Sequence, residues 1–74
     1  MTNKELFAKT YAETFKECYP QFDVTKTQHL IEKVIAAACE NIRAVDINGA
    51  AFKATFKKLG VKHTYTAIEQ WLEK

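Results

Sequence analysis

Few residues in this chain have side chains suited to chemistry at a site. Cys18, His29, Cys39 and His63 are the nucleophile and metal-ligand types, and they are scattered, with no C-x-x-C and no H-x-x-x-H spacing. A metal site needs such ligands clustered, so neither a metal nor a cofactor is expected. A Cys–His nucleophilic pair needs a cleft to hold it, and 74 residues leave little room for one. The chain has no phosphate-binding glycine loop and no nucleophile elbow. No catalytic residue is assigned and no enzyme is expected. What remains is binding chemistry, carried by Lys53, Lys57, Lys58, Lys62 and His63. Lys53 and Lys57 are one helical turn apart, and Lys58 and Lys62 straddle Gly60. Ammonium groups so placed meet phosphates whatever the base sequence, with strong salt dependence. The same set also reads as a solvated helix face or as a dock for an acidic protein.

Helices must position these residues. Thr2-x-x-Glu5 is a capping box that starts the first helix. Its stripe is Phe7, Tyr11, Phe15, Cys18 and Phe22, read as core, and Pro20 ends it near Tyr19. Phe22 and Val24 are expected to fold in as a loop plug. Thr25-x-x-Gln28 favours Thr25 over Asp23 or Thr27 as the cap of a second helix, about Lys26 to Ala44. Ile31, Ile35, Ala38, Ile42 and Val45 form its main stripe, with Leu30, Val34, Ala37 and Asn41 beside it, and this wide arc predicts a central helix. Glu40 and Arg43 are spaced to pair on its wet side. Ile47 before Asn48 predicts a staple to Phe52 and an Asn48 cap for a third helix. Phe52, Phe56 and Leu59 are its apolar face, and Gly60 ends it in a left-handed cap, with Val61 packing back. Thr64 or Thr66 caps a last helix, which buries Ile68, Trp71 and Leu72; Thr66-x-x-Glu69 has the box spacing.

Composition agrees with this pattern. Hydrophobic residues make up 47% of the chain and nine residues are aromatic, enough for one core in a single domain over residues 1–74. Two glycines and one proline argue against a many-turned sheet. The expected fold is therefore all-α, a compact bundle of three to four helices with a C-terminal helical hairpin. Net charge is +2, but residues 1–42 hold five Lys/Arg against six Asp/Glu and residues 43–74 hold six against three. The basic balance lies at the C-terminal end. No apolar run has the length that spans a bilayer, so no membrane partner is expected. Met1-Thr2-Asn3-Lys4-Glu5 is too polar for a signal peptide, so the cytoplasm is the expected compartment, with Cys18 and Cys39 as free thiols.

Residues Ala51 to Trp71 resemble the helix-turn-helix of small bacterial and phage DNA-binding proteins, matching in type at Gly60, Val61, Ile68 and Trp71. Phe56 stands where that family has a small residue, and Ile68 falls about two residues late, which lengthens the turn. The resemblance implies that the helix from Thr64 to Leu72 is a recognition helix in the major groove. Tyr65, Thr66, Glu69 and Gln70 would face the bases, Gln70 suiting an adenine edge, with Lys62 and His63 at the entry. One such unit gives little affinity, so a homodimer is implied, with Trp71 and Leu72 as the partner interface. The alternative is a small phage- or plasmid-type adaptor or inhibitor that binds a larger protein and no nucleic acid.

Overall fold

A computed structural model describes the backbone of residues 1–74 and every side chain except that of Val24, so the plug expected at Val24 lies outside the described residues. The chain is all-helical: α1 (Asn3–Cys18), α2 (Val24–Glu40), a 3-10 turn (Ile42–Ala44), α3 (Ala50–Leu59) and α4 (Tyr65–Leu72). No strand occurs among the described residues, and no helix is long and apolar enough to cross a membrane.

Helix ends follow local chemistry. The Thr2 hydroxyl accepts the Glu5 amide at 3.1 Å and donates to the Glu5 carboxylate, closing the capping box. The cap of α2 is Asp23 rather than Thr25: its carboxylate accepts the Thr25 amide at 2.9 Å, and a carboxylate is the stronger acceptor. That helix stops at Glu40, short of the expected Ala44. Asn41 adopts extended backbone and its side chain accepts the Arg43 amide, a local bond that competes with the helix. Gly49, not Asn48, caps α3. Asn48 instead donates its amide to the Asp46 carboxylate at 3.0 Å. At the far end Gly60 is left-handed (φ 72°), with Gly60 N–H bonded to Lys57 C=O and Val61 N–H to Phe56 C=O. This paired arrangement satisfies two orphan carbonyls. The Thr64 hydroxyl caps α4 by accepting the Ala67 amide.

The central helix is α1, not α2. It packs along α3, against α2 on another side, and against α4. Phe7 is fully buried and lies against Phe56 with rings nearly parallel, centroids 5.4 Å apart, and against Phe52 at 6.2 Å. Tyr11 meets Phe52 at 4.9 Å. By contrast α2 seals the core with Ile31 and Ala38 and leaves Leu30 54% exposed. Its apolar arc was wide, but the 3-10 turn carries Ile42 into the core, and of the second stripe only Val34 packs against the core while Leu30, Ala37 and Asn41 stay exposed. Phe22 is 48% exposed and plugs nothing; its ring lies against Tyr19 at 5.7 Å.

Two buried threonines differ in bonding. Thr55 donates to the Ala51 carbonyl at 2.6 Å, whereas the Thr14 hydroxyl has no partner among the described residues. A buried unpaired polar group costs about 1–3 kcal/mol. Thr14→Val should therefore raise stability by about 1 kcal/mol, a melting shift of about 4–8 °C for a domain this size, while Thr55→Val should not; thermal unfolding of both variants checks this. Burial, with Tyr19 adding to it, pushes the Tyr11 phenol above its ordinary value of 10.0. The neutral phenol is favoured in the fold, so that stability is intact below the ordinary value and is lost as pH rises through the raised one. Tyr11→Phe should reduce the alkaline loss of stability, measured by urea unfolding across pH 9–11.

Candidate nucleic-acid interface

The lysine set sits on α3 and the turn after it. Lys53 and Lys57 share the solvent side of α3, because Phe52 and Phe56 hold the opposite side in the core. Lys62 is exposed beyond Gly60. None of these three has an ion-pair partner among the described residues. Lys58 differs: its ammonium donates to Glu17 Oε2 at 2.6 Å, tying the end of α3 to the end of α1. His63 is half-buried and its Nε2 contacts the Ile47 carbonyl. A carbonyl only accepts, so this nitrogen carries the proton and does not face a phosphate.

The outer side of α4 is partly engaged. The Tyr65 hydroxyl donates to the Val45 carbonyl at 2.7 Å, which takes it away from base edges. Arg43 reaches across from the 3-10 turn, pairing with Glu69 through Nε at 3.2 Å and donating to the Thr66 hydroxyl through Nη2 at 3.4 Å. The Thr66–Glu69 pair, spaced as a capping box, is thus bridged by an arginine while Thr64 does the capping. Arg43 was expected to pair with Glu40; the helix break at Asn41 turns it toward α4 instead. Only a contact 26 residues away in sequence reveals this, and nothing local signals it. Gln70 remains exposed with no side-chain hydrogen bond among the described residues.

The two expected interface residues separate. Leu72 is 5% exposed and belongs to the core, so it offers no surface to a partner. Helical geometry explains the correction: Ile68 and Leu72 are one turn apart and share the buried side. Trp71 is half-buried, edge-on to Phe56 with centroids 6.4 Å apart. The Asn3 amide donates to its carbonyl at 2.8 Å, joining both ends of the chain.

A cleft of about 210 Å³ opens between the start of α1, the end of α2 and α4, edged by Lys4, Cys39, Glu40, Glu69 and Glu73. Burial pushes the Cys39 thiol up, against an opposing pull from Lys4. A raised thiol stays protonated at neutral pH and is a poor nucleophile. No group of three or more His, Cys, Asp or Glu that could hold a metal occurs among the described residues. The molecule therefore has a carboxylate-edged side at the cleft and a lysine-bearing side at α3.

No protein-family model matches the chain, and comparison with curated proteins and with solved structures finds no match.

The bonds at Tyr65 and Arg43 differ in worth. Tyr65→Phe should lower stability by about 0.5–1.5 kcal/mol, the net value of a hydrogen bond. Arg43→Ala should cost less, because its ion pair is solvent-exposed. Urea midpoints of the two variants provide the check, and an unchanged Tyr65→Phe midpoint would mean that the hydroxyl is free in solution.

Proposed function

We propose that this protein is a small non-enzymatic regulator that binds DNA, with Lys53, Lys57 and Lys62 on phosphates. One observation carries the reading: α3 and its turn hold three exposed lysines with no carboxylate paired to them among the described residues. An uncompensated cationic strip attracts a polyanion, and its binding depends on counterion release. Within the helix-turn-helix resemblance Gln70 is the residue left available to a base edge, since Tyr65 and Thr66 are engaged within the fold. A homodimer would supply the affinity that one such unit lacks, with Trp71 as a contact.

A second reading, an adaptor that binds a larger protein, is favoured by a different observation. Leu30 and Ala37 are exposed on one side of α2, beside Val34, which packs partly against the core, and they leave a small apolar patch facing solvent.

Titration of a fluorescent random-sequence duplex at about 50 and 200 mM salt tests the first reading. Three phosphate contacts give a log–log salt slope of about −2.7, so affinity should fall about 40-fold across that range. Lys57→Glu should weaken binding more than Lys58→Glu, because Lys58 already faces Glu17. Gln70→Ala should change sequence preference rather than overall affinity. Absence of duplex binding at about 50 mM salt would remove this reading in favour of the adaptor.

A further inference from the structure

Phe22 is a large apolar side chain expected inside the fold and found outside it. Its surroundings give the exposure a meaning. Along α1 the rings of Phe7, Tyr11, Phe15 and Tyr19 follow one another, with centroids 5.8, 6.1 and 4.9 Å apart, and Phe22 is the last member of the series. The corner is fixed as well as exposed. The Tyr19 amide bonds to the Phe15 carbonyl at 2.9 Å and the Phe22 amide to the Tyr19 carbonyl at 3.1 Å. Tyr19 packs partly against the core and backs the Phe22 ring.

This aromatic corner leads directly from the last turn of α1, where the Glu17–Lys58 bond fastens the last turn of α3. Lys57 and Lys58 are thereby brought to the same end of the molecule as Tyr19 and Phe22. Lys16 and Lys26 flank the corner and are exposed. Of the acids nearby, Glu17 is paired with Lys58, whereas Asp23, beside Phe22, caps the Thr25 amide and keeps its charge. The corner thus offers a solvent-facing ring supported from behind, beside ammonium groups on two elements.

From this juxtaposition we infer that the Tyr19–Phe22 corner is a stacking platform for an unpaired nucleobase, and that the preferred ligand of the lysine surface is single-stranded nucleic acid. A base in a duplex is stacked on both faces and cannot lie on Phe22, whereas an unpaired base presents a free π-face. The base stacks on Phe22, and the strand continues over α3 with a phosphate at Lys57. Stacking of this kind tolerates any base, so sequence preference is modest. The inference rests on the nucleic-acid reading above and specifies its ligand.

The test is fluorescence anisotropy with labelled oligo(dT) of about 15 nucleotides and with a random duplex, both at about 50 mM salt. The proteins are wild type, Phe22→Ala and Lys57→Glu, each verified by circular dichroism; Phe22→Leu serves as a variant that keeps the apolar bulk. Wild type should bind oligo(dT) several-fold more tightly than duplex. Phe22→Ala and Phe22→Leu should both lose about 5- to 100-fold of the oligo(dT) affinity, the range for loss of one stacked base, with duplex affinity unchanged. Lys57→Glu should weaken both ligands. If duplex binds and Phe22→Ala leaves oligo(dT) affinity unchanged, or Phe22→Leu retains it in full, the platform is overturned and the duplex reading stands. If neither nucleic acid binds, both fail.

Discussion

The contact between Phe7 and Phe56 fixes the arrangement of everything else. A chain of 74 residues has too little interior for several independent clusters, so α1 and α3 are joined by large rings instead. Phe7 and Phe56 stand face to face and both are fully buried. Truncating either would cost about 3–5 kcal/mol, a large share of a small domain's stability. Phe56 also sets where α4 can lie. A small residue there would let α4 approach α3 closely; the phenyl ring keeps it away, and Trp71 meets that ring by its edge. As a result α4 rests on α1 and the 3-10 turn, and the solvent side of α3 is left to its lysines.

A second constraint is that α4 spans only eight residues, too short to persist alone in water. Its burial of Ile68 and Leu72 holds one side, and polar bonds hold the rest. Asn3 satisfies the Trp71 carbonyl at its C-terminal end, Tyr65 reaches the Val45 carbonyl at its start, and Arg43 grips Thr66 and Glu69 between. The side chains that a recognition helix would offer to bases are thus largely those that fasten this helix to its neighbours. Base reading by α4 would therefore compete with stability for the same atoms, whereas on α3 Lys53 and Lys57 hold no such bond among the described residues and only Lys58 is tied, to Glu17.

How much of this was legible in the sequence depended on whether the deciding contact was local. The Thr2–Glu5 box, the stop before Pro20, the Gly60 cap and the last helix at Thr64 all rest on atoms a few residues apart, and all are found in the structure. Where neighbouring caps compete, as with Asp23 against Thr25 or Gly49 against Asn48, spacing alone could not rank them, and the carboxylates of Asp23 and Asp46 decided by taking the Thr25 and Asn48 amides. The break at Asn41 came from one side-chain acceptor inside an otherwise helical pattern. The lysine face was legible because periodicity places Lys53 and Lys57 opposite Phe52 and Phe56. Its pairing state was not: the Glu17–Lys58 contact spans 41 residues. The same applies to Phe22, whose apolarity predicted burial, whereas the turn at Tyr19 and Pro20 carries it outward.

Charge and aromaticity are distributed unevenly over the resulting shape, and the two distributions reinforce each other. Glu40, Glu69 and Glu73 gather at the cleft beside the start of α1, partly offset by Lys4 and by the Arg43 paired with Glu69, while Lys53, Lys57 and Lys62 occupy α3 and its turn. With a net charge of only +2, any orientation in the field of a polyanion would come from this separation rather than from the total. Under the proposed DNA binding, approach by the lysine side is the one favoured. The side favoured includes the α3 terminus, which Glu17 holds against α1, and from α1 the aromatic series runs out to Phe22. The ring series that stabilises the interior therefore ends on the surface, just beyond the end of α1 to which Glu17 fastens Lys58.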